Sequence, residues 1–210
     1  MKKIIIIAFL ILSNTINAQE FKIEEKTITG TFENKEKNKS ELFALINKWI
    51  SINYNSSKSV IQMNDLESGT IIIKGINSVN FKNPGKVLNP KIATEFSEMK
   101  FNHIIEINIK DNKFRIIYKL VDLATDDYGY NAMTLECINL NGNRDLAVDK
   151  FLETMDVNLK KGMIGKDKRE RYKVESKLSF DEINTNLIIE MKTTMSSIEN
   201  SITVTSKDGW

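Results

Sequence analysis

The chain has 210 residues, with 30 Lys and Arg against 28 Asp and Glu, one His and one Cys. That near balance offers no basic footprint for a nucleic-acid partner. One cysteine excludes an intramolecular disulfide, and one histidine with one cysteine argues against a zinc site of the usual ligands.

The first 18 residues, "MKKIIIIAFLILSNTINA", place two lysines before an apolar run from Ile4 to Leu12 and end on a small residue, Ala18. That order predicts a signal peptide cleaved before Gln19, because the apolar run is too short to span a bilayer. No cysteine follows it, so the expected product is periplasmic or secreted and is not a lipoprotein. Cleavage removes two lysines and brings the formal charge to zero. No later segment has the length and apolarity of a transmembrane span. The remaining length suffices for one core, read as an α+β domain over 19–143 and a helical C-terminal extension over 144–210.

"FKIEEKTITGTF" predicts a strand, and "ENKEKNKS" a solvated connection. Ser40 is the expected N-cap of a helix, with Glu41 in its first turn. Leu42, Leu45, Ile46, Trp49 and Ile50 then recur at helical spacing, with Phe43 at one edge. A stripe this wide suits a helix laid across a sheet. "SVIQMND" and "GTIIIKGI" read as strands around a turn at Gly69. Residues 77–100 hold both prolines, Pro84 and Pro90, and read as a long loop with a helical turn around Glu95 to Met99.

"FNHIIEINIK" and "KFRIIYKL" predict a hairpin turning at Asp111 and Asn112. Phe101, His103, Ile105, Ile107 and Ile109 share one face of the first strand. Phe114, Ile116, Tyr118 and Leu120 share one face of the second. A sheet with one apolar and one polar face implies an antiparallel layer covered by helix. "YNAMTLECINL" reads as a further strand closed by the "NGN" turn at 141–143. Residues 144–161 form an amphipathic helix through Val148, Phe151, Leu152, Met155 and Leu159, stopped at Gly162. The basic run from Lys160 to Lys173 reads as a solvated linker. Ser179 and Glu182 form a capping box and Leu178 with Ile183 a hydrophobic staple, marking the start of a last helix of about 33 Å. Its stripe is Ile183, Leu187, Met191, Met195, Ile198 and Ile202. Such a stripe must be covered by the domain, a partner or a second copy. Docking on the domain is the expectation, with self-association through this helix as the alternative.

The order strand, helix, antiparallel strands resembles a bacterial secreted domain of unknown function with a TBP-like fold, a name that refers to architecture and implies no DNA binding. The resemblance rests on "SELFALINKWISINYNSSKSVIQMNDLESGTIIIKG", 40–75, and "HIIEINIKDNKFRIIY", 103–118, and is strongest over 40–118. It implies a fold and an export route. It supplies no catalytic residues.

The residues themselves offer no reactive constellation. His103 lies in the apolar register of its strand, where a packed neutral imidazole with one hydrogen bond to backbone is the better reading. Cys137 reads as a small buried hydrophobe. Asp122, Asp126 and Asp127 lack the ligand offsets of a calcium loop. There is no nucleophile elbow and no phosphate-cradling glycine loop. No catalytic residue, metal or cofactor is expected. The leading expectation is a non-catalytic binding or interaction module of the envelope with an unknown protein partner. The second is a protein for a small apolar ligand or lipid, held in a helix–sheet cleft by Trp49, Phe43, Ile46 and His103. An unrecognised hydrolase is third.

Overall fold

The computed structural model describes residues 21–124 and 131–204. The predicted signal peptide over 1–18 and Asp126, Asp127, Tyr128 and Gly129 lie outside the described residues. β1 (Phe21–Ile23) and β2 (Thr27–Glu33) lead into α1 (Lys39–Asn53). α2 (Ser57–Val60), β3 (Ile61–Asp65) and β4 (Thr70–Lys82) follow, then α3 (Gly85–Leu88), β5 (Phe96–Lys110) and β6 (Lys113–Leu123). α4 (Asn131–Glu136), α5 (Asp145–Lys161) and α6 (Lys166–Val204) are the last elements of the described residues.

The strands form one six-stranded sheet in the order β1-β2-β6-β5-β4-β3, and every neighbouring pair is antiparallel. α1 therefore carries the chain from the β2 side of the sheet to its opposite edge. The β5–β6 hairpin turns at Asp111 and Asn112, with Asn112 at φ 66°, where asparagine substitutes for glycine at modest cost.

The predicted alternation is present. Phe101, His103, Ile105, Ile107 and Ile109 are buried on the same face as Phe114, Ile116, Tyr118 and Leu120. Phe32 and Phe114, cross-strand partners, stack with ring centroids 4.8 Å apart. Leu42, Ile46, Trp49 and Ile50 of α1 cover this face beside the α6 stripe of Ile183, Leu187, Met191, Met195, Ile198 and Ile202, all in one core. The stripe that raised the expectation of self-association is thus buried within the chain.

Five local expectations are corrected. The N-cap of α1 is Asn38, not Ser40: Asn38 Oδ1 accepts from Glu41 N at 3.0 Å while Glu41 Oε2 accepts from Asn38 N at 2.9 Å. Only a cap three residues before the glutamate can close that reciprocal pair. Residues 77–82 and 96–100 are not loop. They extend β4 and β5, pairing Lys82 with Phe96, so Glu95 to Met99 form no helical turn and both prolines fall in the connection.

Residues 131–136 are helix α4 rather than strand. Ala132, Met133, Leu135 and Glu136 are good helix formers. The Lys26 ammonium donates to Leu135 O and Ile138 O, holding the end of this helix, and Leu140 N donates to Glu25 O at 2.9 Å.

The basic run is no linker. A turn at Gly162–Gly165, with Met163 at φ 58°, reverses the chain, and Lys166 to Lys173 open α6. Arg169 Nη1 donates to Ile164 O at 2.7 Å and its Nε to Asp156 Oδ1 at 2.9 Å, which locks the turn and holds the Asp156 carboxyl below its usual range. Ser179 starts no helix either, since α6 runs unbroken for 39 residues, about 58 Å. No Gly or Pro interrupts it, and Leu178, 57% exposed, staples nothing. Ser179 and Glu182 instead grip β4: Ser179 Oγ donates to Lys82 O at 2.7 Å, and Glu182 Oε2 accepts from Lys82 N at 2.7 Å.

Candidate functional site

Of the four residues expected to share a cleft, Trp49 lines a groove, and Phe43, Ile46 and His103 are not among its lining residues. Ile46 is fully buried in the core, and Phe43 is half-buried beside it. His103 is 1% exposed and lies beneath the sheet–helix interface. Trp49, 6% exposed, is the one that reaches a surface groove, of about 450 Å³.

Three elements build that groove. The C-terminal end of α1 supplies Trp49 and Asn53, followed by Tyr54 and Asn55. β4, the strand next to edge strand β3, supplies Ile76 and Asn77. α6 supplies Glu190, Thr193, Thr194 and Ser197, which follow one another at helical spacing on the flank of its apolar stripe. Trp49 Nε1 donates to Ser197 Oγ at 3.0 Å, and its ring meets Tyr54 edge-on with centroids 6.0 Å apart. The indole is a structural wall whose polar tip is satisfied across the groove.

Asn77 organises the floor. It occupies the inward register of β4, between Ile73 and Val79, and its Nδ2 donates to Tyr118 Oη at 2.7 Å and to Glu190 Oε1 at 3.1 Å. Burial, with Tyr54 and Glu190 nearby, pushes the Tyr118 phenol well above its usual range, and burial pushes Tyr54 up to about 12. Both phenols therefore stay neutral donors at physiological pH. The groove presents amides, hydroxyls, two aromatic walls and one carboxylate, a set suited to holding a hydrogen-bonding ligand.

His103 stands behind this floor, its ring centroid 4.8 Å from that of Tyr118. Neither ring nitrogen has a hydrogen-bond partner, which corrects the expected bond to backbone. The strand registers direct backbone groups sideways into the sheet, while the imidazole points into the apolar layer. Burial lowers its pKa from 6.5 to about 4, so it is neutral near pH 7. Cys137 is fully buried, and burial pushes its thiol up to about 11, away from thiolate chemistry.

A second, apolar hollow of about 200 Å³ opens where β4 and β5 meet the α5–α6 pair, lined by Phe81, Met99, Phe151 and Phe180 with Ser176. The Ser176 hydroxyl is buried and has no partner. A third hollow, of about 240 Å³, gathers Lys110, Lys113 and Arg115, all solvated. Among the described residues no group of three or more His, Cys, Asp and Glu side chains is placed to hold a metal ion. No helix of the described residues is long and apolar enough to cross a membrane.

The sequence reading missed Asn77 and Glu190. Treating residues 77–100 as loop hid the available signal, a polar residue two positions from Gly75 and Val79 in an otherwise apolar register. Glu190 and Ser197 carried no local signal, because only the docking of α6 places them opposite β4.

A family model described as a domain of unknown function (DUF4468) with TBP-like fold matches residues 29–122. Among solved structures, the chain is similar to a TBP-like protein from Parabacteroides distasonis ATCC 8503, at 13% identity and a TM-score of 0.46, covering 84% of this chain and 92% of that one. It is also similar to a DUF4468 family protein from Bacteroides ovatus ATCC 8483, at 15% identity and a TM-score of 0.42, covering 62% of this chain and 84% of that one. No curated protein matches. The match covers the strand–helix–antiparallel-strand unit that supplies the α1 and β4 walls of the Trp49 groove, and over residues 29–122 this chain is similar to the DUF4468 domain with its TBP-like fold.

Proposed function

We propose that the protein is an exported, non-catalytic binding module of the bacterial envelope that meets its partner in the Trp49 groove. The groove carries the reading: hydrogen-bonding groups from α1, β4 and α6 converge on one open volume of about 450 Å³. Export is supported by the order of basic, apolar and small residues in the first 18 positions. The one imidazole and the one thiol, the side chains best able to act as base or nucleophile near neutral pH, are both buried away from the groove.

The test is capture of a stoichiometric partner from envelope extract by the wild-type protein and by Thr193→Trp, which fills the groove from an exposed helix flank. Partner loss with an unchanged melting temperature supports the reading. Equal capture by both proteins, or steady turnover of a substrate, overturns it.

A second reading is favoured by Ser176. Its unpartnered buried hydroxyl faces an apolar hollow of about 200 Å³, which suits a small apolar ligand bearing one polar group. Native mass spectrometry of the protein from its host separates the two readings, since only this one expects a co-purifying small molecule lost in Phe180→Trp.

A further inference from the structure

The edge of β4 is protected at both ends and open in the middle. Near the β4 start, β3 pairs only as far as Ile73, which faces Ile61. At the far end, α6 side chains stand in for a neighbouring strand. Asn186 Nδ2 donates to Asn80 O at 2.8 Å, Glu182 accepts from Lys82 N, and Ser179 donates to Lys82 O. These bonds show that even-numbered residues of β4 aim their backbone groups away from β5. Antiparallel geometry repeats that direction at every second residue, and so at Lys74, Ile76 and Ser78. No strand of the described residues pairs with that side of 74–78. All three residues are exposed, Ile76 at 61%. The stretch has no proline and no bulge, two of the devices by which sheets blunt an edge, and its one charged residue, Lys74, stands at its start and leaves Ile76 and Ser78 unguarded.

The Trp49 groove opens along this same edge, since Ile76 and Asn77 are its β4 wall. Among the described residues, Glu190 is the only charged side chain that lines the groove. We infer that the groove takes an extended peptide segment of a partner protein, which adds to β4 as a strand over Lys74–Ser78 and directs a lysine or arginine at Glu190. The inference rests on the binding-module reading and names its ligand class. The peptide's backbone groups pair with those of Ile76 and Ser78, its alternate side chains enter the groove between α1 and α6, and the Glu190 carboxylate selects the basic one.

The probe is a set of peptides of about ten residues, selected from a random displayed library on the protein and then synthesised. Each is N-methylated one residue at a time. Strand addition predicts that methylation at alternate residues cuts affinity about tenfold or more, while methylation between them has little effect. Ser78→Pro removes an outward N–H and should abolish binding, whereas Ser78→Ala should keep it. Glu190→Gln should weaken only peptides that carry the basic residue. The methylation scan alters the peptide alone, so it decides even if Ser78→Pro fails to fold.

Absence of any selectable peptide, affinity indifferent to the parity of methylation, or binding unaffected by a folded Ser78→Pro overturns the inference. A wild-type dimer that Ser78→Pro dissociates also overturns it, in favour of a second copy on this edge. If Thr193→Trp still abolishes partner capture while the scan shows no alternation, strand addition falls and the binding module stands. If Thr193→Trp captures normally, the groove reading itself falls.

Discussion

Gly75 and His103 are cross-strand partners, and the imidazole fills the space that a side chain on Gly75 would need. A Cβ built on Gly75 would lie 2.6 Å from His103 Nε2 and 3.1 Å from a Tyr54 ring carbon. The glycine is required by close approach between two strands and a helix end. Gly75→Ala should therefore destabilise the domain by about 1–3 kcal/mol, the usual cost of overpacking. In a His103→Ala background the same change should cost less, because the obstructing ring is gone. Urea denaturation of the four proteins measures the coupling, and an identical penalty in both backgrounds would refute the contact.

The same ring makes stability depend on pH. Burial holds His103 neutral, lowering its folded pKa from 6.5 to about 4. Below pH 6.5 the unfolded chain takes up a proton that the folded protein refuses, so stability falls as pH drops from about 6.5 towards 4, then levels for this group. The loss is roughly 3 kcal/mol. Carboxylates held low, such as Asp156, add their own acid dependence at lower pH. Subtracting the profile of His103→Leu isolates the imidazole. A variant with the same slope between pH 6.5 and 4.5 as the wild type would rule the ring out as its source.

Trp49 is a wall of the groove and a member of the core at once. Trp49→Ala should cost about 3–5 kcal/mol, since it removes buried ring surface and leaves a cavity against α6. Trp49→Phe should be milder, about 1–2 kcal/mol, keeping ring contacts while leaving Ser197 Oγ without its donor. Thermal melts of both variants give the comparison. An alanine variant with an unchanged melting temperature would mean that the indole serves the ligand and not the fold.

α6 should be indispensable. A chain ending at Leu178 loses six side chains of the stripe, each at 2% exposure or less, together with the Ser179 and Glu182 grip on Lys82. At about 1.5–3 kcal/mol for each buried aliphatic, the loss matches or exceeds a typical domain stability of about 5–15 kcal/mol. The truncated chain should bind hydrophobic dye and melt without a cooperative transition. A sharp melt at the wild-type temperature would show that the sheet and α1 are self-sufficient.

The inner part of the β5–β6 hairpin, from His103 to Leu120, was legible because strict alternation there admits one pairing register, whereas the register shift between Asn102 and His103 left no mark in the pattern. The α1 stripe and the apolar side of α6 were legible for the same reason at helical period. Export, too, rests on local order in the first 18 residues and needs no tertiary structure to be expected. Boundaries were less secure where local chemistry allowed two answers. The run from Ser179 to Glu182 satisfies the pattern of a helix start, yet Ser179 spends its hydroxyl on Lys82 O and on Glu175 O within a continuing helix. The segment 131–136 alternates too weakly to prefer strand over helix, and Lys26, more than a hundred positions earlier, holds the helical end.

Period and turn chemistry along the chain determined an α+β protein with one covered sheet face, two amphipathic helices aimed at it, and a histidine in an apolar strand register. Tertiary structure decided which polar residues meet. Trp49 and Ser197, and Asn77 and Glu190, lie 148 and 113 positions apart and are joined only when α6 docks along β4. The open stretch of that strand is likewise invisible locally, since an edge exists only where another strand, here β3, stops short. Burial patterns are written in neighbouring residues, whereas a groove is made by the distance between elements, and that distance is set by packing.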